Sequence, residues 1–360
     1  MNKRLKVYVG LSGGVDSAVS AYLLLKQGYD VTGVFIKTWQ PEWMKCTWKE
    51  DRREAMRVAA HLDIHFKTLD LSNEYRDLVA QYMIDEYKAG RTPNPDVMCN
   101  KEIKFGYFFD FAIKDGADFI ATGHYANTML DKENSSLTLY RGVDSNKDQS
   151  YFLWAIKKEI LPKLLFPIGQ YTKEQVRDIA FNACLPNHSR KDSQGICFLG
   201  MVDIEQFLSH YVKAEKGDVL NTKGEIIGYH RGAIFYTIGE RHGFTITDKT
   251  PVDRPFYVIS KNMEKNTITV QYKNILSPDH TDSQDKKMFL KNINLFLPLD
   301  KSVKYDFQLR YRQSPITGAV TDIKENKIEI ELDSLPESYS MGQSCVIYRD
   351  NKCLGGGIID

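Results

Sequence analysis

Apolar and polar positions change rhythm along this chain. In the first half, short β-branched and apolar runs alternate with stretches of helical period: LKVYVGL from Leu5, an amphipathic stretch from Ser17 to Gln27, DVTGVFIK, a charged helical pattern from Lys49 to His61, then HFKTLDL. This βαβαβ alternation predicts a parallel, doubly wound sheet with helices on both faces, whose ligands lie beyond the carboxyl ends of its strands. A further helical pattern runs from Asn73 to Lys88, followed by the loop Gly90 to Asp96, a helix from about Asn100 to Lys114 and the strand-like DFIATGH ending at His124. The α/β texture continues to about Asp178. From Gly217 onward short β-branched runs are broken by turn signals such as Asn221-Thr-Lys-Gly224, Lys261 to Asn266 and Lys324 to Lys327, which is all-β patterning. The expected architecture is therefore a doubly wound α/β domain over residues 1–202, a small mostly-β central domain over 203–277 and a C-terminal β-barrel over 278–360.

Composition refines this picture only in places. At 360 residues the chain exceeds what one core organises, and its 42% hydrophobic content fills a core in each expected domain. No cationic leader with a cleavage site and no bilayer-length apolar run is present, so a cytoplasmic protein without membrane attachment is expected. Six cysteines are too sparse for a disulfide scaffold, and none forms a C-x-x-C pair. The net charge of +1 does not announce a nucleic-acid binder, yet it leaves room for a local basic face. Nothing in the sequence demands an oligomer, so a monomer is expected.

The strand LKVYVGL runs directly into Ser12-Gly13-Gly14-Val15-Asp16-Ser17, which opens a helix. Backbone N–H groups and the positive helix end converge there, the glycines permit close approach, and the serines offer hydroxyls to phosphate oxygens. An ordinary strand-to-helix turn uses Gly-Gly as well, but the flanking serines and aspartate favour a phosphate site. The pattern lacks G-x-x-x-x-G-K-[ST] and G-x-G-x-x-G, which argues against γ-phosphate transfer and a dinucleotide. SGGVDS instead resembles the loop of the ATP-pyrophosphatase group, which implies transfer of AMP to an oxygen. Asp16 is then either a contact for the Mg²⁺ that accompanies ATP or an acid at a helix N-terminus.

Two cysteines stand in distinctive surroundings. Cys99 follows the proline-stiffened Thr92-Pro-Asn-Pro-Asp96 and precedes a helical pattern with Lys101 and Lys104, a setting that lowers a thiol pKa. Cys197 lies in Lys191-Asp-Ser-Gln-Gly-Ile-Cys197-Phe-Leu-Gly200, close to Arg190 and Lys191. Cys46, Cys184, Cys345 and Cys353 read as small buried hydrophobes.

With these motifs in hand the chain resembles one family, the bacterial tRNA-specific 2-thiouridylases. The matching stretches are GLSGGVDS, AGRTPNPDVMCNKEIKFG, ATGHYA, DSNKDQSYFLWAI, LFPIG, KDSQGICFLG, YTIGER, RYRQ and GQSCVIYRDNKCLGGGII, spread from Gly10 to Ile359. The resemblance implies an adenine-nucleotide alpha-hydrolase-like catalytic domain that adenylates the C2 oxygen of the wobble uridine in Lys, Glu and Gln tRNAs. Sulfur from a cysteine persulfide then replaces that oxygen, giving 2-thiouridine, AMP and pyrophosphate. It implies Cys197 as persulfide carrier, Cys99 as the second catalytic cysteine that forms a disulfide with it, and Asp96 as the group that moves the N3 proton. ATP contacts are implied at Gly10, Leu11, Ser12, Gly13, Gly14, Val15, Asp16, Ser17, Ile36 and Gly123. Contacts with tRNA are implied at Asn94, Pro95, Asp96, His124, Lys147, Asp148, Gln149, Arg310, Tyr311 and Gln343, and an upstream persulfide donor protein is implied as a partner.

The match departs from the family at His242 to Asp248, where a glycine-rich stretch is usual, and at Met201, where an acidic residue is usual. Asp96, Cys99 and Cys197 are also ligand types for an iron–sulfur cluster, but two reactive thiols explain the same residues, and no metal ligand set is assigned. Two other functions remain open on the residues alone. One is adenylation of a small molecule or another RNA base; the other is RNA binding by a module with a vestigial nucleotide site.

Overall fold

The structure, a computed structural model, describes residues 4–44, 47–131, 136–192, 204–247, 255–272, 286–336 and 339–360. Its first sheet is built from β1 (Lys6–Gly10), β2 (Asp30–Lys37), β3 (His65–Asp70), β4 (Phe119–Ala121) and β7 (Leu164–Leu165), all parallel, in the order β3-β2-β1-β4-β7. Alternate residues of β1 feed opposite cores. Val7 and Val9 pack with α1 (Val15–Lys26) and α2 (Trp48–His61), whereas Tyr8 packs with the helices on the other face. Burial on both faces explains why β2 reads as a continuous apolar run. The chain leaves β1 toward β2 on one side and reaches β4 on the other, so the strand order reverses between β1 and β4. That reversal opens a crevice at the carboxyl ends of the two strands.

The helices on the Tyr8 face depart from simple α periodicity. The expected Asn73–Lys88 helix is realised as α3 (Ser72–Tyr75), a π-helical stretch Arg76–Ala80 and α4 (Gln81–Lys88). The next helix begins earlier than expected, with α5 (Pro95–Met98), because Asn94 accepts from the Val97 N–H at 3.2 Å and Pro95 fits the first helical position. It continues as a π-helix over Cys99–Tyr107 before α6 (Phe108–Lys114).

Between β4 and β7 stands a feature that local patterning did not reveal, the antiparallel hairpin β5 (Ala126–Asp131) and β6 (Ser136–Arg141). After α7 (Lys173–Asn182) and α8 (Ile204–Ser209) comes a second sheet. It comprises β8 (Gly217–Leu220), β9 (Ile226–His230), β10 (Thr245–Ile246), β11 (Phe256–Asn262) and β12 (Thr267–Tyr272), in the order β10-β9-β8-β12-β11. The last strands are β13 (Lys287–Leu295), β14 (Lys304–Gln308), β15 (Ile316–Lys324), β16 (Lys327–Leu332), β17 (Ser344–Arg349) and β18 (Lys352–Ile359). They run β13-β16-β15-β14-β17-β18, and a β13–β18 pairing closes them into a six-stranded barrel. Among the described residues no helix is long and apolar enough to cross a membrane.

The hairpin joins barrel to parallel sheet, because β6 pairs with β18 through Tyr140–Lys352 and Leu139–Cys353. A polar lock lies beside this seam. Arg141 donates to Asp148 at 2.8 Å and to Gln308 at 3.1 Å while its guanidinium sits 3.5 Å from the Tyr348 ring centroid, and Ser150 bonds both Asp148 and the Tyr348 hydroxyl at 3.0 Å. Removing one partner of such a buried ion pair leaves the other uncompensated. Asp148→Ala is expected to cost about 3 kcal/mol, read as a lowered urea midpoint.

Candidate functional site

The crevice between β1 and β4 holds the Ser12–Ser17 turn. Ser17 Oγ donates to the Gly14 carbonyl at 3.0 Å and accepts from the Ser12 N–H at 3.3 Å, which shapes the turn from its own side chains. Gly14 at the helix N-cap brings no capping side chain, so the N–H groups of the first turn of α1 keep their capacity for an anion. Gly13 has φ +81°, and its carbonyl accepts from Asn187 at 2.8 Å and Arg190 at 3.1 Å. Gly123, after β4, presses on the start of α1, where a Cβ would lie 2.8 Å from Ser17 N. Ile36 ends the buried part of β2, and a cavity of about 300 Å³ opens just past it among Thr38, Trp39, Met44 and Trp48. The turn, Gly123 and Ile36 thus all lie at the carboxyl ends of the parallel strands, and the cavity lies beyond Ile36 without being lined by the turn.

Asp16, in the first turn of α1, has one oxygen bonded to the Tyr125 hydroxyl at 2.9 Å and to the Lys173 ammonium at 2.6 Å. Burial first, then the Asp16 charge, push the Tyr125 phenol well above its ordinary pKa, so it stays a donor. Lys173 also reaches Asp192 at 2.8 Å, and Asp192 takes Lys147 at 2.8 Å and Arg177 at 2.7 Å. Burial opposes ionisation of Asp192, but Lys147 and Lys173 outweigh it and hold its pKa at about 2. Tyr125, Lys173, Arg177, Asn187 and Asp192 were not read from the sequence as site residues. The one local signal was Lys173-x-x-x-Arg177, which places two cations one helical turn apart. Among the described residues no group of three or more His, Cys, Asp or Glu side chains could hold a metal by itself. A single carboxylate such as Asp16 does suit a Mg²⁺ that arrives on phosphate oxygens.

The second cluster is built on the helix after Thr92-Pro-Asn-Pro-Asp96. Cys99 is fully buried in the apolar cluster with Val97, Ile103 and Tyr151, not poised at the surface. The two lysines that the sequence placed beside it have partners of their own: Lys101 pairs with Glu102 at 2.8 Å, and Lys104 Nζ lies 3.4 Å from His124 Nε2. Because an ammonium only donates, the network assigns His124 Nε2 as acceptor and Nδ1 as the protonated nitrogen, donating to Thr122 Oγ1 at 2.7 Å. Burial first, and Lys104 second, hold the His124 pKa well below 6.5. A histidine depressed in the folded state favours folding above its unfolded pKa and loses that contribution as pH falls. Below about pH 6.5 it should therefore add a slope approaching ~1.4 kcal/mol of lost stability per pH unit. Urea midpoints at pH 7.5 and 5.5 should converge by that difference in His124→Gln.

The third cluster gathers all three parts of the chain. The Thr92 N–H bonds the Met341 carbonyl at 2.8 Å and its hydroxyl meets Thr237 Oγ1 at 3.4 Å. Arg310 reaches Gln343 Oε1 and the Ile238 carbonyl, each at 3.3 Å. Tyr311 lies 4.5 Å from the Phe152 ring, and the Arg312 guanidinium lies 5.2 Å from the Tyr311 centroid. Arg310, Tyr311 and Gln343 thus flank the Asn94-Pro95-Asp96 turn through Thr92 and Tyr151. Asp148 and Gln149 bond within the protein: Asp148 takes Arg141 at 2.8 Å beside the seam, and Gln149 accepts from the Tyr125 N–H at 3.1 Å. Lys147 stands with Asp192 at the nucleotide end. The unusual stretch after Arg241 forms a turn whose Gly243 carbonyl accepts from Tyr236, followed by the short edge strand β10. Cys197, Met201, Cys46 and Asp248 lie outside the described residues.

Family models match most of the chain in three consecutive parts: a tRNA methyl transferase HUP domain over residues 5–201, a tRNA methyl transferase PRC-barrel domain over 205–272 and an aminomethyltransferase β-barrel domain over 285–359. The chain is 43% identical over 364 residues to the tRNA-specific 2-thiouridylase MnmA of Staphylococcus carnosus, covering 100% of this chain and 96% of that one. It is 41% identical over 365 residues to the protein of the same name from Psychromonas ingrahamii, covering 100% and 98%. A solved U34-tRNA thiolase from Methanococcus maripaludis, with its [4Fe-4S] cluster, aligns at a TM-score of 0.34 and 17% identity over 57% of this chain and 64% of that one.

Proposed function

The chain belongs to the tRNA-specific 2-thiouridylase family, and from that membership we propose how its three clusters divide the reaction. The enzyme uses ATP to adenylate the C2 oxygen of the wobble uridine of Lys, Glu and Gln tRNAs and exchanges that oxygen for sulfur, working as a monomer in the cytoplasm. The division of labour follows 1–202 for catalysis, 203–277 as a connecting domain and 278–360 for tRNA contact. Support comes above all from one arrangement: the phosphate turn and His124 border the same switch-point crevice, and Lys104, on the helical segment that begins at Pro95 and carries Asp96 and Cys99, reaches His124.

A uracil carbonyl oxygen is a poor leaving group. Attack of O2 on the α-phosphorus expels pyrophosphate toward the α1 N-terminus, and AMP then becomes the group that departs from C2. Mg²⁺, when bound beside Asp16, neutralises charge on the phosphates. Asp96 accepts the N3 proton as the base becomes nucleophilic at O2. The terminal sulfur of a persulfide on Cys197 attacks C2 and AMP leaves. Cys99 then attacks the Cys197 sulfur, so the S–S bond to the base breaks, a Cys99–Cys197 disulfide forms and thiolated uridine is released. A thiol reductant returns the pair to the reduced state, and an upstream persulfide donor reloads Cys197.

On the barrel side, Arg310 supplies a guanidinium to backbone phosphate and Tyr311 a stacking face. The test is release of AMP from ATP with and without tRNA. The expected outcome is release that depends on wobble-uridine tRNA, and an Arg310→Ala variant whose tRNA affinity falls about tenfold with a salt slope smaller by about one while ATP affinity holds. AMP release indifferent to tRNA would contradict it.

A further inference from the structure

Lys173 opens α7, where Thr172 and Gln175 form a capping box, and its side chain is only 13% exposed. Its ammonium touches two carboxylates, Asp16 at 2.6 Å and Asp192 at 2.8 Å. Asp192 therefore sits among three cations that come from separate places in the sequence: Lys147 after the hairpin, and Lys173 and Arg177 on one face of α7. These cations border the phosphate turn, since Lys173 bridges directly to Asp16 in the first turn of α1. Arg190 is committed elsewhere, to the Gly13 carbonyl and to Asp51.

Three cations held together without an anion repel one another, and partial burial makes that repulsion costlier. One carboxylate that takes charged hydrogen bonds on both oxygens is what a phosphate group would present to the same donors: negative charge and several acceptor lone pairs. We propose that Lys147, Lys173 and Arg177 complete, beside the phosphate turn, the binding site for the β- and γ-phosphates of ATP, and that the Asp192 carboxylate occupies their side of the site in the ATP-free enzyme and is displaced when nucleotide binds. The proposal rests on the ATP-dependent reading above and adds to it a resident competitor. After adenylation the same carboxylate returns as pyrophosphate leaves, so the cations are never bare and the leaving group is not retained.

The consequence runs against the ordinary expectation for removing a polar partner from a binding site. With Asp192 neutralised, the phosphates no longer compete with it for Lys147, Lys173 and Arg177, Asp16 alone still holds Lys173, and affinity should rise. Equilibrium binding of Mg-ATP and Mg-pyrophosphate, with AMP as control, is measured on the full-length protein and on Asp192→Asn, Asp192→Ser and Lys173→Gln. Asp192→Asn and Asp192→Ser are expected to bind ATP and pyrophosphate about three- to thirtyfold more tightly, and Lys173→Gln about tenfold or more weakly, with AMP affinity unchanged in all three. If the parent protein binds ATP but both Asp192 variants bind it equally or more weakly, Asp192 orients the cations and the proposal is overturned alone. If the parent protein binds neither ATP nor AMP, the ATP-dependent reading falls and takes the proposal with it.

Discussion

Cys99→Ser is expected to lower thiolation by about a thousandfold or more, because a hydroxyl neither attacks a disulfide-type sulfur nor forms the S–S bond that releases the base. Cys99 is fully enclosed by apolar neighbours, so the added polarity also carries a stability cost of about 1–2 kcal/mol. The two effects separate experimentally. ATP and tRNA binding should persist in the folded variant, and Cys99→Ala, which removes the polarity, should fold better yet thiolate no faster. A Cys99→Ser protein that is less stable but still thiolates tRNA would reduce Cys99 to a packing residue.

Gly13→Ala carries the second large effect, on the nucleotide side. At φ +81° any side chain is strained by about 1–2 kcal/mol, and here the added Cβ would also lie 2.6 Å from the Asp51 carbonyl and 2.9 Å from Arg190 Nη1. The start of α2 and the arginine that braces the turn must both move, which displaces the N–H groups aimed at phosphate. ATP affinity is expected to fall by about thirtyfold or more, measured by titration with the nucleotide. Gly28→Ala is the matched control. Its φ is +87° with nothing within 4 Å of the new Cβ, so it should lose a little stability and no ATP affinity.

Much of this was legible in the sequence where the information is local. The run from Lys6 to Gly10 followed by Ser12-Gly-Gly gives strand, turn and helix in order, and the structure builds them so. The loss of helical period beyond Gly217 likewise announced the two later β assemblies. What escaped is what depends on distant pairing. Lys147, Lys173 and Asp192 are each ordinary surface charges in their own windows, and only the crossover that sets α7 beside α1 brings them together. The hairpin β5–β6 finds its third strand in β18, more than two hundred positions later, so nothing in the window around Asp148 announces that its carboxylate bonds Arg141 of β6 beside that seam. The π winding after Cys99 has no signature in propensity, because the same residues favour any right-handed helix.

Incubating the protein with ATP, Mg²⁺, a persulfide-generating cysteine desulfurase system and wobble-uridine tRNA, then digesting the RNA and weighing its nucleosides by mass spectrometry, decides whether this chain thiolates tRNA. The expected result is 2-thiouridine with the parent protein and none with Cys99→Ser or Cys197→Ser. Release of AMP with confirmed sulfur delivery but no 2-thiouridine would contradict it.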